Sequence, residues 1–307
     1  MTLDPLTILA QAQNSGQPVV GLDLGGQDLD RLNVRSLVFD HCRLVGARIA
    51  DSSFLDCLFQ DCDFSEAVLV NNSFSRGRFI GPLTKVNFNH SVFKACSFDA
   101  PLFSAVDWSR TSIYDSDFGP QAKFSGCVFS SAIFGQVKFG QTVIKDSRLD
   151  FWILRESSFG SLELSNSFGA NFQAASLSLR GARAVNCDLT GANFQNSDLT
   201  KATLKDLTLV GAFFANANLA EADLSGAEAS RAIFQGANLT GANLTNLKAT
   251  YADFSRAHFA FARLKGADLT RANFHRAKDL DLRDAAQVHG ARLTDEALAR
   301  AEDFQPL

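Results

Sequence analysis

At 307 residues the chain has the length of two ordinary globular domains, but its apolar content, 46% hydrophobic with 28 Phe against 2 Trp, 2 Tyr and one Met, points to one template filled many times. The formal charge of −4 is dispersed as −4, +1 and −1 over residues 1–80, 81–180 and 181–307, which excludes the basic footprint of a nucleic-acid binder and any acidic tail. No run approaches the roughly 18 apolar residues of a membrane span, and the opening MTLDPLTILAQAQNSG carries Asp4 without a basic stretch, so no secretory leader is read. A cytoplasmic location is expected, with export by a leaderless route left open.

In chain order, residues 1–20 read as a capping helix. Asp4-Pro5 is an N-cap followed by proline at the first helical position, LTILAQAQ is the body, and Asn14-Ser15-Gly16 stops it. From residue 21 an apolar residue then recurs every fifth position: Leu24, Leu29, Phe39, Leu44, Ile49, Phe54, Phe59, Phe64, Leu69, Phe74, Phe79. The frame slips by one within 80–87, at Pro82, and resumes at Phe88, Phe93, Phe98, Phe103, Trp108, Ile113 and Phe118. It slips back within 119–123, at Pro120, so the faces realign from Phe124 through Phe139. Proline fits both slips because it has no donor for a ladder hydrogen bond. A third irregularity spans 165–182, where Phe168 and Phe172 leave the frame.

Beyond it the rhythm is cleanest. Ala184, Leu189, Phe194, Leu199, Leu204, Leu209, Phe214, Leu219 and Leu224 continue to Phe274, each preceded two positions earlier by a small residue, mostly Ala. Five matches neither the helical period of 3.6 nor the strand period of 2, so the chain has to turn at every repeat. Phe194, Phe214, Phe234, Phe254 and Phe274 recur every 20 residues, as four five-residue sides per coil require. The expected spacing of about 4.7–4.9 Å between hydrogen-bonded coils suits offset ring stacking. Residues 21–293 thus read as one all-β solenoid, a quadrilateral β-helix of about 12–13 coils and about 60 Å. Residues 294–307 read as a second capping helix starting at Thr294.

GANLTGANLT at 236–245, GADLTRANF at 266–274 and NANLAEADLSGA at 216–227 resemble the A-(D/N)-(L/F)-x-x unit of pentapeptide-repeat proteins. The resemblance covers roughly residues 22–293 and implies a square, right-handed coil with the central Leu/Phe and the small residue two before it pointing inward. The opening ILAQAQNSGQPVVGLDLGGQDLDRLNV also resembles pentapeptide modules of bacterial type VI secretion accessory proteins.

The search for reactive constellations returns little. Cys42, Cys57, Cys62, Cys96, Cys127 and Cys187 all hold the small inward position and read as packed, reduced thiols. The five histidines lack metal-ligand spacing, and no phosphate loop, nucleophile elbow or acid pair is present. No catalytic residue, metal site or cofactor is expected. Asp23, Arg43 and Asp63, and Asp28 with Arg48, are expected to stack as charge ladders. Outward apolar residues single out one surface: Phe213 with Ile233, Tyr251 on the adjoining corner between Arg231 and Arg271, and Phe261. Ile133 with Ile153, and Val38 with Leu58, form smaller pairs.

These features favour a non-catalytic scaffold or adaptor for protein partners, a secretion-system accessory among the options, with no direct nucleic-acid or membrane contact and with pairing of two copies through an end cap allowed. The alternative is a DNA-mimicking binder of a type II topoisomerase such as gyrase, which the family resemblance implies for some members. Duplex DNA presents one charge per about 1.7 Å, and a mixed net −4 falls far short of that.

Overall fold

Each five-residue segment forms one side of a coil and ends at a corner with left-handed backbone. At the non-glycine corners, from Arg31 to Asp279, φ runs from 47° to 62°. This region costs an L-residue about 1–2 kcal/mol unless Gly, Asn or Asp takes it, and those residues fill many of the corners. What holds the rest is the ladder: corner N–H groups donate to the next coil, as Arg31 to Ala50 (2.8 Å) and Asn196 to Ala215 (2.9 Å). The computed structural model describes residues 4–99 and 102–303; they fall into two units, residues 1–160 and 161–307.

In the first unit, α1 (Pro5–Ser15) is capped by Asp4, whose carboxylate accepts from Thr7 N, and ends at Gly16 in the left-handed region. Leu9 and Ala12 are buried. Gln13 closes the open edge of the first coil: its Nε2 donates to Arg35 O (2.7 Å) and its Oε1 accepts from Arg35 N (2.9 Å), replacing a missing strand. The inward residues form four columns. The first side holds Leu24, Leu44, Phe64, Leu83, Phe103, Phe124 and Ile144; the second Leu29, Ile49, Leu69, Phe88, Trp108, Phe129 and Leu149; the third Val34, Phe54, Phe74, Phe93, Ile113, Phe134 and Leu154. On the fourth, Phe39, Phe59, Phe79, Phe98, Phe118, Phe139 and Phe159 stack with centroids 4.5 to 5.2 Å apart. All described pairings are parallel, as stacked coils require.

Both proline slips are present as changes of register. Phe79 pairs with Phe98, nineteen residues on, across Gly81-Pro82. Phe103 pairs with Phe124, twenty-one on, across Gly119-Pro120. Phe124 then pairs with Ile144 at the regular twenty, so the two slips cancel.

The second unit pairs at twenty from Phe168↔Asp188 to His258↔Lys278, with Ala at most small inward positions. Phe194, Phe214, Phe234, Phe254 and Phe274 lie in one internal column, centroids 4.8 to 5.3 Å apart and rings within 14° of parallel. The departure at 165–182 is one of side-chain size and leaves the register intact. Gly169 and Ala174 hold the central positions, and buried Phe172 fills the small position between them. Volume is redistributed within the coil, while Phe168 turns outward, 61% exposed. The helix α2 (Glu296–Asp303) is capped by Asp295, which accepts from Ala297 N and Leu298 N (both 3.0 Å), and not by Thr294. Thr294 Oγ1 instead accepts from Arg276 N (3.0 Å). Residues 1–3 and 304–307 of the two expected end segments lie outside the described residues.

Phe214→Ala opens a void that the rigid neighbouring coils cannot fill, and is expected to cost about 3–5 kcal/mol in urea denaturation. Phe261, at a corner with φ 60° and 89% exposed, loses on backbone and solvation alike. Phe261→Asn is therefore expected to stabilise by up to about 1 kcal/mol, read as a higher melting temperature.

Candidate partner-binding surface

The inward thiols, hydroxyls and amides are occupied by the fold. All six cysteines are buried and free. Their thiols donate to carbonyls of their own coil and the one below, as Cys62 Sγ to Gln60 O (3.5 Å) and Phe39 O (3.4 Å). Burial pushes the thiols of Cys96 and Cys127 up to about 11 and 12, and also raises those of Cys57 and Cys187. The contact with Cys42, then burial, raises that of Cys62. On the third side a buried polar ladder runs through Ser52, Asn72 and Ser91: Ser52 N donates to Asn72 Oδ1 (2.8 Å) and Asn72 N to Ser91 Oγ (3.0 Å). Asp and Asn residues before the central position brace their own corner, as Asp188 accepting from Thr190 N (3.0 Å), or the next coil, as Asn238 Nδ2 donating to Asn218 Oδ1 (3.0 Å). Among the described residues no His/Cys/Asp/Glu cluster could hold a metal, and no helix is long and apolar enough to cross a membrane.

The charge ladders are partly as expected. Arg43 pairs with Asp23 (3.0 Å), but Asp63 accepts from Ser65 N instead. Arg48 pairs with Asp30 (3.3 Å), not Asp28; the Asp30 carboxylate is held beside it by accepting from Ala50 N (2.6 Å).

The predicted outward residues gather on the third side of the second unit, with one exception. Phe213 and Ile233 are bridged neighbours on that side; Phe213 is 44% exposed. Arg231, Tyr251 and Arg271 follow one another on the corner leading into it, at φ 58° to 61°. Arg271 Nη1 donates to Tyr251 Oη (2.6 Å), and its guanidinium lies 5.4 Å from the ring centroid, an arrangement that holds the exposed ring in place. Neither Arg231 nor Arg271 has a carboxylate within 4 Å among the described residues. Phe261 turns out at the corner after the fourth side, diagonally opposite Tyr251, and does not join the patch.

Further along the same side the coils meet α2 and form a half-open cavity of about 430 Å³, lined by Asp253, Arg256, Asn273, His275, Arg292, Leu298 and Glu302 among others. Sequence reading missed it because its far wall depends on where α2 lands. Glu302 is the latch, 2.7 Å from Arg256, 3.2 Å from Arg276 and 3.6 Å from His275. His275 Nδ1 accepts from Asp295 N (3.3 Å), leaving Nε2 directed to Glu302.

A coiled chain of five-residue sides bearing a localised aromatic and arginine surface is a repeat solenoid. Residues 168–206, 197–236 and 237–276 each match the family model described as pentapeptide repeats (8 copies), and the chain belongs to the pentapeptide-repeat family, with no need of the narrower secretion-system resemblance. None of the curated proteins compared with the chain matches it. Among solved structures, a pentapeptide repeat protein from the Arabidopsis thaliana thylakoid lumen is 33% identical, with 36% of this chain and 70% of that one covered and a TM-score of 0.27. HetL, involved in heterocyst differentiation regulation in Nostoc sp. Strain PCC 7120, is 20% identical over 87% of this chain and 98% of its own, TM-score 0.28. QnrB1, a plasmid-mediated fluoroquinolone resistance protein, is 17% identical over 78% and 97%, TM-score 0.33. At such identities the likeness of the latter two concerns the fold alone.

Hydrogen bonding to Arg256 holds the Glu302 carboxyl below its ordinary range. The latch therefore contributes fully above the unfolded value of about 4.3 and is lost as pH falls through the lowered one. Amide exchange in α2 is expected to accelerate at acid pH before the coils open, and Glu302→Gln to give the same acceleration at pH 7.

Proposed function

We propose that the chain is a non-catalytic scaffold that binds a protein partner through the third side of its second unit. The observation that carries this reading is the set Phe213, Ile233 and Tyr251 beside Arg231 and Arg271. Tyr251 sits at a left-handed corner, where the backbone favours Gly or Asn, and half its surface faces water. Beyond its contact with Arg271, folding gains little from an aromatic residue there, whereas interface anchors are enriched in Tyr and Arg. The reactive side chains of the family frame are spent on packing, which supports a binding role over a catalytic one.

A DNA-mimicking surface is disfavoured. Such a surface needs uninterrupted rows of acids, whereas Asp56 meets Arg76, Glu66 meets Lys85, and Glu228 meets Lys248. These ladders neutralise the charge that would imitate a phosphate backbone.

The test is affinity capture with the chain and with a Phe213→Ser/Tyr251→Asn double variant. A partner retained by the parent is expected to be lost at least tenfold with the variant, while thermal denaturation shows no loss of stability. Equal capture by both removes this surface as the docking site.

A further inference from the structure

The first unit carries a second apolar surface that the sequence frame left as an isolated Ile133–Ile153 pair. Its third side is a ladder of parallel strands, Val92–Lys94, Ser112–Tyr114, Ile133–Gly135 and Ile153–Arg155. Val92, Ser112, Ile133 and Ile153 lie in one outward row, and Lys94, Tyr114, Gly135 and Arg155 in the next. Val92 is 41% and Tyr114 38% exposed. Tyr114 lies flat across Gly135, where an added Cβ would come within 2.9 Å of the ring, so glycine there lets the aromatic side chain spread over the next coil. Phe151 stands at the adjoining corner with φ 56° and is 54% exposed. Phe at this corner is costly in both backbone and solvation terms, as Tyr251 is in the second unit.

The charges in the two outward rows have one sign. Lys94 and Arg155 flank Tyr114 in its own row, and Arg110 stands on the Phe151 corner, where its Nη1 meets His90 Nε2 at 3.3 Å. None of the three cations has a carboxylate within 4 Å among the described residues, whereas Arg43, Arg76, Arg78 and Lys85 of the same unit are all paired. Neither outward row contains an acid; Asp115 and Glu156 sit beyond, on the corner toward the fourth side. The strands' backbone groups are consumed by the ladder above and below, so a partner cannot add a strand to this side and has to present side chains.

We propose that this side of the first unit docks an acidic protein segment with interspersed large apolar residues, the apolar groups seated on Val92, Tyr114, Ile133 and Phe151 and the carboxylates on Lys94, Arg110 and Arg155. Uncompensated cations around an apolar strip select against basic segments and against DNA or RNA helices, which offer no apolar side chains. This inference stands independently of the patch on the second unit.

The test uses the full chain and a fluorescein-labelled peptide of alternating Asp and Phe/Leu, read by fluorescence anisotropy, with two control peptides in which Lys replaces Asp or Ser replaces Phe/Leu. The acidic apolar peptide is expected to bind saturably, more weakly as salt rises, and both controls at least tenfold less tightly. Lys94→Glu/Arg155→Glu and Tyr114→Ser/Phe151→Asn are each expected to weaken binding at least tenfold, and Phe213→Ser/Tyr251→Asn to leave it unchanged. Phe151→Asn suits the left-handed corner, so circular dichroism and thermal melts should report a folded protein. Equal binding of the Lys peptide, no saturable binding, or unchanged affinity in both first-unit variants overturns the proposal. So does sedimentation showing a dimer of the parent chain that Tyr114→Ser/Phe151→Asn dissociates, because a second copy then covers this side.

Discussion

The structure depends on the distance between one coil and the next. Parallel ladder hydrogen bonds set that distance, and it coincides with the separation at which aromatic rings stack. One spacing therefore satisfies two requirements: the corner amides find acceptors, and the Phe rings of each column rest on those of the neighbouring coil, 4.9 Å apart for Phe59 and Phe79 and for Phe214 and Phe234. The corners would be strained in isolation. They persist because each is tied by backbone hydrogen bonds to the coil beyond it, and a column of apolar side chains behind them keeps water away from those bonds.

The same constraint separates the inside of the coils from the outside so sharply that chemistry is confined to the surface. Cysteine, serine and asparagine residues that face inward are used up bonding to carbonyls and amides of adjacent coils. What the fold leaves free are the outward positions not taken by a corner-bracing Asp or Asn, and the corner of each side. There the outer residues contribute little to stability, so their identity reports on something else. Charged columns settle into short ladders worth a few tenths of a kcal/mol each. Aromatic residues at left-handed corners stay largely exposed, and in both units such a residue lies next to the third side with arginine close by.

The end structures follow from the exposed edges that any stack of coils leaves. Gln13 supplies a donor and an acceptor to the first coil with one side-chain amide, and α2 is held to its unit by Glu302 among Arg256, His275 and Arg276 and by Arg276 pairing with Asp303 (2.8 Å). The two solutions differ in kind. The first is a neutral, solvent-exposed pairing made by α1 itself; the second is an ionic latch beside a polar cavity, which makes α2 the acid-sensitive part of its unit.

How much of this could be read from the sequence follows from period and reach. A period of five, with Phe every twenty residues, determined the inward columns, the four sides and both proline slips, because only one register buries the recurring Leu and Phe, and proline cannot pass through a ladder unpaired. Asp4, Pro5 and Gly16 likewise determined α1, since capping is decided within a few residues. Contacts between side chains of similar reach were settled only in three dimensions. Arg48 chose Asp30 over Asp28, Asp295 displaced Thr294 as the cap of α2, Phe172 filled the space Gly169 left, and Phe261 fell on the corner opposite Tyr251. The Glu302 latch and the spread of Tyr114 over Gly135 were equally invisible in sequence, because each depends on where a neighbouring coil or helix comes to rest, which no local pattern of residues encodes.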